Sequence, residues 1–297
     1  MKNYLKGSFA LLVSRMSAGL NINCTKYLLP VWIAPVDFIA IRLLFGTLFF
    51  WTIGAFASHD ATSKRDKVKL FLLGATMVFG YMTLYAVGLT CTTPVNFTIF
   101  NALQPIWVFA FSVVCRNESV TVGKVAGICL GFSGVVATLF SEAQHELASN
   151  ALLGNTMALV SSLCYAVYLF SSTAMLRRVS NMAMLKYTFF GAAASGLTAF
   201  VLSGCNIPRI FLEYNSSAVL LLLFVLVFPT ALSYLLVPIG LKYLKTTLVA
   251  MYGYVTLFVA TIVSLFTGQD RFDVPLLLAL LLICVGIFLV GRAERAG

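Results

Sequence analysis

Long and almost uninterrupted apolar runs constrain this chain more than any other feature of its sequence. About ten can be laid out, near 7–29, 35–57, 68–89, 93–115, 120–140, 151–175, 181–204, 215–239, 245–267 and 273–292. Each is close to the roughly 20 residues that a helix needs to cross a bilayer. A membrane β-barrel would instead show alternating polar and apolar residues. The sequence therefore predicts an all-α integral membrane protein with ten transmembrane helices.

Composition supports the same class. Hydrophobic residues make up 60% of the 297 residues, charged residues make up 10%, and the mean hydropathy is +0.96. A soluble domain would be about a quarter charged. No stretch of forty residues is free of apolar runs, so we expect neither a separate soluble domain nor a cleavable signal. The seven cysteines form no CxxC pair, and we expect no disulfide framework, no metal and no cofactor.

The net charge of +10 is best explained by membrane orientation. With the N-terminus in the cytoplasm, 15 of the 20 Lys and Arg residues fall in cytoplasmic loops or at the termini, and only Lys26, Arg209 and Arg271 fall outside. This asymmetry fits the positive-inside rule and an even number of spans. We therefore predict a multi-pass protein of the cell inner (plasma) membrane with both termini cytoplasmic. Nucleic acid is not an expected partner.

The two halves of the chain share one layout. A displacement of 152 residues places Gly88-Leu89 on Gly240-Leu241 and Glu118 on Asp270. The least hydrophobic linker, Ser141 to Asn150, lies between the halves. We predict two five-helix repeats, 1–145 and 146–297, which point in opposite directions because five is odd. Inverted repeats with a binding site at their interface are typical of secondary transporters.

The run "GLTCTTPVNFTIFNALQPIWVFAFSVVCRNESVTVGKVAGICLGFSGVV" resembles the second half of an EamA repeat of the drug/metabolite transporter (DMT) superfamily. The features that carry the resemblance are Gly88-Leu89, Gln104-Pro105, Glu118 and the glycines Gly127, Gly131 and Gly134. "GLKYLKTTLVAMYGYVTLFVATIVSLFTGQDRF" is similar in the second half, although Thr256-Leu257 and Asp270 depart from the pattern. The resemblance implies ten helices, two inverted repeats and transport of metabolites or drugs, without naming the cargo.

Polar residues inside the runs are the candidates for a substrate site. Projection at 100° per residue places Arg15 and Lys26 on one stripe of the first span, with Asn23 beside it and Asn21 pointing elsewhere, towards a neighbouring helix. The predicted substrate-binding residues are Arg15, Asn23, Tyr81, Tyr85, Asn101, Gln104, Tyr165, Tyr168, Tyr234 and Tyr254. Each has a purely structural alternative, because tyrosines anchor at membrane interfaces and amides join helices.

Small residues and prolines in the spans have structural interpretations. Gly123, Gly127 and Gly131 recur every fourth residue, which favours close helix packing. Pro105 and Pro229 should distort their helices, because proline lacks a backbone donor and crowds the preceding turn.

Charged residues inside spans are functional candidates by default, because each costs roughly 3 kcal/mol at the bilayer centre. Arg15 lies about 12 Å into its helix at ~1.5 Å per residue, close to the midplane. Lys26 and Arg42 lie nearer the outer end, where we expect them to extend towards water. Asp37 is the only acid near them in sequence and could pair with either. The first helix is therefore expected to line a water-filled path.

These observations predict a secondary transporter of small organic metabolites, amino-acid-like or nucleotide-like and zwitterionic or anionic, acting as an exporter or exchanger by alternating access. The alternatives are a proton-coupled exporter of drugs or cationic amines and a membrane-embedded enzyme. An enzyme is disfavoured because no HExxH, GxSxG or paired-Asp motif is present, and His59 and His145 stand alone in loops. The expected partners are a small-molecule substrate and the lipid bilayer, with a homodimer left open.

Overall fold

The computed structural model describes residues 2–56, 62–115, 120–138, 148–205, 207–272 and 274–296. Over these ranges the chain forms ten long helices and no strand. They are α1 (Lys2–Leu28), α2 (Pro35–Ala55), α3 (Lys64–Cys91), α4 (Pro94–Val114), α5 (Val122–Thr138), α6 (Ala151–Met175), α7 (Asn181–Leu202), α8 (Ser216–Tyr243), α9 (Thr246–Thr267) and α10 (Val274–Ala296). A single-turn helix, Arg209–Leu212, precedes α8. The ten predicted helices are confirmed, with ends that shift by a few residues.

Hydropathy explains why most of these helices can cross a membrane. In the described part of the chain, α2, α3, α4, α6, α7, α8 and α9 are long and apolar enough to do so. Helices α5 and α10 contain shorter apolar stretches, Val122–Gly134 and Leu277–Val290. Helix α1 is not among these seven and carries Lys2, Lys6, Arg15 and Lys26 along its length. Its polar residues therefore need partners inside the protein.

Helices at matching positions in the two halves make matching contacts. Helix α1 packs on α8 and α9, and α6, its counterpart five helices later, packs on α3 and α4. Helix α2 packs on its counterpart α7, and α5 packs on its counterpart α10. Every one of these interfaces is therefore repeated or mapped onto itself when the halves are exchanged. The prediction of two inverted five-helix repeats is confirmed. The predicted boundary at residues 145 and 146 lies outside the described residues.

Irregular helix geometry occurs at matching places in the two halves. A π-helical segment, Gly74–Val78, interrupts α3, and a second, Leu226–Leu232, interrupts α8. The first residues of these segments are 152 positions apart, the displacement that relates the repeats. Helix α4 is broken after Asn101 and resumes at Gln104, and α9 is broken at Tyr252. Pro105 and Pro229 lie at two of these four sites, as their sequence positions predict.

Glycines bring α5 and α10 into backbone contact at the periphery. A Cβ added to Gly127 would lie 2.5 Å from the carbonyl oxygen of Gly286, and a Cβ on Gly286 would lie 2.5 Å from that of Gly127. A Cβ added to Gly123 would lie 2.9 Å from the Ala293 Cβ, and one added to Gly131 would lie 2.8 Å from the Tyr254 hydroxyl oxygen. The predicted packing role of these glycines is confirmed.

Candidate substrate cavity

A cavity of about 120 Å³ lies between the two halves. Helices α1, α2, α3 and α4 of the first repeat contribute to its wall, and so do α6, α8 and α9 of the second. Several distorted segments reach it, because Pro105 of the broken α4 and Pro229 of the π-helical segment in α8 both line it. The distortions in α4 and α8 therefore lie at the cavity wall, whereas no residue of the π-helical segment in α3 lines it.

Most of the residues predicted from helical faces meet at this cavity. Eight of them line it: Arg15, Tyr81, Tyr85, Asn101, Gln104, Tyr165, Tyr234 and Tyr254. Asn23 and Tyr168 are not in the wall. The Asn23 amide nitrogen donates to the backbone carbonyls of Ala260 and Gly19, and the Tyr168 ring is fully buried between helices. The cavity geometry thus gives no support to a substrate contact by these two.

Arg15 is the polar centre of the α1 wall. Its side chain is only 7% exposed, and its Nε and Nη2 atoms have no hydrogen-bond partner in the described residues. The guanidinium carbon lies 5.5 Å from the centroid of the Tyr165 ring, which is within cation–π distance. Neither of these two nitrogens bonds Gln104, whose amide nitrogen donates to Asn101 Oδ1 at 2.8 Å. Arg15 therefore keeps unused donors beside the cavity.

Arg42 corrects one sequence-based expectation. It does not extend towards water at the outer end, because it is 4% exposed and lines the cavity. Its Nε donates to the Thr230 hydroxyl at 3.0 Å, and Thr230 donates in turn to the Val225 carbonyl at 2.8 Å. Thr230 belongs to the π-helical segment of α8, far from Arg42 in sequence. In the described residues Arg42 forms no ion pair with Asp37.

Aromatic side chains and amides complete the wall. The Tyr81 and Tyr165 rings meet edge to face with centroids 5.0 Å apart. The Asn21 amide nitrogen donates to the Tyr85 hydroxyl at 3.0 Å. Asn21 thus bonds a neighbouring helix, as expected from its direction, and also lines the cavity. The Tyr234 ring packs edge to face on Phe189, and its buried hydroxyl has no partner in the described residues.

The wall is rich in donors and carries positive charge. Arg15 and Arg42 are its two charged side chains, and no Asp, Glu or His lines it in the part of the chain that the structure describes. No group of three or more His, Cys, Asp or Glu residues that could hold a metal occurs in the described residues either. His59 and His145 lie outside them. Guanidinium and hydroxyl donors of this kind suit a carboxylate or phosphate.

Polar contacts join helix ends that are far apart in sequence. No local sequence pattern predicts these contacts. The Lys26 ammonium of α1 donates to the carbonyls of Leu89 and Thr92, at 2.8 and 2.7 Å, where α3 ends. Asp270, in the loop after α9, accepts hydrogen bonds from the Val95 backbone nitrogen and from the Ser264 hydroxyl. Burial raises the pKa of the Asp270 carboxyl above its ordinary value, although these hydrogen bonds and the charge of Lys26 oppose the shift.

The fold and this cavity define the class of the protein. It is a multi-pass membrane protein built from two inverted repeats around a cavity that both repeats line. The chain matches the model of the EamA-like transporter family over residues 5–140 and 152–292, one match for each repeat. It therefore belongs to that family, which is part of the DMT superfamily.

Similar proteins agree with this assignment. An uncharacterized transporter of Archaeoglobus fulgidus is 22% identical over 91% of this chain and 90% of its own length. The uncharacterized transporter YvbV of Bacillus subtilis is 24% identical over 100% of this chain and 95% of its own. The uncharacterized transporter YyaM of Bacillus subtilis is 24% identical over only 35% of each chain. A solved structure titled "Crystal structure of protein" has the same fold, with a TM-score of 0.74, 19% identity and 99% and 98% of the two chains covered.

Proposed function

We propose that the protein is a secondary transporter that moves small organic metabolites across the inner membrane as an exporter or exchanger. Its cargo is anionic or zwitterionic, amino-acid-like or nucleotide-like. The observation that carries this proposal is the cavity between the repeats, where Arg15 has unused donors and no lining residue of the described chain is acidic.

The position of the cavity supports alternating access. Inverted repeats that share a central site can expose it to either side by rocking one repeat against the other. Helix α1 of the first repeat packs on α8 and α9 of the second, so relative movement of the repeats would reshape the wall that carries Arg15. Breaks in α4 and α9 provide points where these helices can bend.

The alternative functions lack a matching site in the described residues. An exporter of cationic amines would need a carboxylate or an aromatic cage to hold the cation, and here the cavity already contains two guanidinium groups. A membrane enzyme would need a nucleophile with a base, paired acids or a metal cluster. In the described cavity wall, the hydroxyls and amides have no His or carboxylate beside them that could act as a general base.

The test is transport by the purified protein in proteoliposomes. We expect saturable counterflow of a radiolabelled anionic or zwitterionic metabolite from a panel of amino acids, nucleotides and amines. Arg15→Gln should reduce it by at least about tenfold and Arg15→Lys by less, because lysine keeps the charge but not the planar fork. Arg209→Gln is the matched control, because Arg209 is exposed and pairs with Glu213 outside the cavity. Normal transport by both Arg15 variants, or preference for a quaternary amine, would contradict the proposal.

A further inference from the structure

We infer that the cavity selects a small organic dianion, a dicarboxylate or a phosphate monoester, held by Arg15, Arg42 and Tyr234 together. This inference rests on the proposed transport function and deepens it by fixing the charge of the cargo. It also assigns Arg42 and Tyr234 as the groups that distinguish a dianion from a monoanion.

Charge balance is the first argument. Arg15 and Arg42 are both more than nine-tenths buried, and the described cavity wall contains no acid to neutralise either. A buried and unpaired charge is costly, and attraction repays that cost only when a partner is present. One carboxylate can neutralise one guanidinium and leaves the other uncompensated. Two negative charges on one ligand neutralise both.

Free donors are the second argument. Two nitrogens of Arg15, Nε and Nη2, have no partner in the described residues. Arg42 uses its Nε for Thr230, and its guanidinium carbon lies 5.5 Å from the centroid of the Phe38 ring. The forked end of each guanidinium is the part that binds a carboxylate or phosphate in a bidentate manner. Arg42 is therefore held by the π-helical segment of α8 at a position in the cavity wall.

Tyr234 adds a third donor to the cavity wall that contains the two arginines. Arg15, Arg42 and Tyr234 all line this cavity. The Tyr234 hydroxyl is buried and has no partner in the described residues. A buried hydroxyl without a partner is uncommon, because its desolvation is not repaid. An anion bound between the guanidiniums would accept its hydrogen bond.

The size and charge of the cavity favour a compact dianion over a nucleotide or a zwitterion. At about 120 Å³ it is well below the roughly 300 Å³ at which pockets for drug-sized ligands begin, so a compact ligand fits and a nucleotide does not. A zwitterion would bring an ammonium group into a wall that already carries two positive charges and, in the described residues, no acid. A small molecule with two negative charges and no positive charge is the better match.

Four probes with the same four-carbon length test the charge directly: succinate, butyrate, γ-aminobutyrate and 1,4-diaminobutane. Glycerol 3-phosphate tests whether the cavity binds a phosphate monoester. Binding to the full chain in detergent is measured at pH 7.5 by isothermal titration calorimetry. We expect succinate or glycerol 3-phosphate to bind at least about 30-fold more tightly than butyrate, which is the discrimination that one buried charge pair provides. The better of these two dianions identifies the cargo as a dicarboxylate or a phosphate monoester.

Variants separate ligand binding from structural support. Arg42→Gln should abolish the preference for the dianion over butyrate, and Arg42→Lys should retain part of it. Tyr234→Phe removes one donor without changing the charge and should weaken dianion binding by about tenfold. If Arg42→Gln does not fold, as judged by size-exclusion chromatography, Arg42→Lys and Tyr234→Phe still decide. Arg209→Gln, an exposed arginine outside the cavity, should bind like the wild type.

The outcomes distinguish this inference from the proposed function. If butyrate or γ-aminobutyrate binds as tightly as the dianions, or if the preference survives in Arg42→Gln, the dianion assignment is wrong and a transporter of other anions remains. Binding of none of the five probes also overturns the dianion assignment. The transport proposal itself fails only if the proteoliposome panel shows no saturable counterflow.

Discussion

Gly191 of α7 and Gly74 of α3 let these two helices meet backbone to backbone. A Cβ on Gly191 would lie 2.0 Å from the Phe71 carbonyl oxygen, and a Cβ on Gly74 would lie 1.8 Å from the Thr188 carbonyl oxygen. Backbone cannot move aside as a flexible side chain can. Gly191→Ala should therefore lower the free energy of unfolding by about 1–3 kcal/mol, as overpacked substitutions do.

Gly80 provides the matched control in α3. The nearest atom to a Cβ at Gly80 is Cys164 Sγ at 3.9 Å, which is ordinary contact. Gly80→Ala should leave stability unchanged or raise it by up to about 1 kcal/mol, because alanine favours the helix. Equilibrium unfolding in mixed micelles of SDS measures both variants. Equal stability of Gly191→Ala and Gly80→Ala would show that the α3–α7 contact is looser than described.

Asp270 makes stability depend on pH at one end of the bundle. Its pKa is raised above 3.8 in the folded protein because the carboxyl is buried, so the folded state binds a proton more tightly than the unfolded state. The contribution to stability is therefore complete below about pH 4 and is lost as the pH rises through the folded-state pKa. Thermal unfolding between pH 4 and 8 should show this decline in the wild type and a shallower one in Asp270→Asn. Identical slopes would contradict it.

The site residues differ in how far the sequence reveals them. Arg15 and the tyrosines Tyr81 and Tyr165 share helical faces with other polar residues, so periodicity alone places them inside the bundle. Arg42 does not share such a face, and its depth near the start of α2 favours extension towards water. Its actual partner, Thr230, is 188 residues away in sequence. A contact of that range depends on how the repeats pack, which single-helix periodicity does not contain.

Helix ends in this fold are joined by charged side chains from other helices. Lys26 donates to two carbonyls at the end of α3, where the last turn has no partners of its own and the helix dipole favours a cation. Lys26→Met should lower the free energy of unfolding by about 2 kcal/mol, since hydrogen bonds to charged groups are strong. Lys69→Met, at an exposed position of α3, should change it by less than about 0.5 kcal/mol. The same SDS unfolding measurement compares the two, and equal losses would rule out a specific cap.

The sequence predicts one of the two π-helical distortions but not the other. Pro229 predicts a distortion in α8, and the helix is π-helical there. The matching π-helical segment in α3, Gly74–Val78, contains no proline and has no local signal. Its position becomes understandable only through the repeat, because it lies 152 residues before the segment in α8. A π-helical turn marks functional sites in many helices, and the segment in α8 reaches the cavity.

The two halves of the molecule are related by an inverted repeat, and the number of crossings determines which loops lie on the same side of the membrane. With ten crossings, the α4–α5 loop and both termini lie on one side, and the α7–α8 loop lies on the other. The distribution of Lys and Arg predicts that the first group is cytoplasmic. Two native cysteines report on this, because Cys115 at the end of α4 and Cys205 after α7 are both exposed.

We expect a membrane-impermeant maleimide added to intact cells to label Cys205 but not Cys115. Each cysteine is tested in a variant that keeps it and replaces the other six by serine or alanine. Permeabilised cells, in which Cys115 should also react, provide the control for accessibility. Labelling of Cys115 but not Cys205 in intact cells would reverse the orientation of every helix.

Energy coupling is a property of the whole molecule, because a driving ion must reach a site that faces both sides in turn. A proton-coupled carrier needs a titratable group in that site, usually Asp, Glu or His. In the described residues the cavity contains none. Asp37 lies in the first turn of α2 and Asp270 lies in the loop after α9, and neither lines the cavity.

We therefore expect facilitated diffusion or exchange, driven by the gradient of the cargo itself. In proteoliposomes loaded with unlabelled cargo, uptake of labelled cargo should be fast with equal pH on both sides. A pH gradient imposed at constant external pH should change the initial rate by less than about twofold. Coupling to a proton would have a larger effect, because one pH unit adds about 1.4 kcal/mol of driving force per coupled proton. Asp37→Asn and Asp270→Asn should show the same response as the wild type. A steep dependence on the gradient that disappears in either variant would identify that carboxylate as a proton carrier and replace exchange by proton coupling.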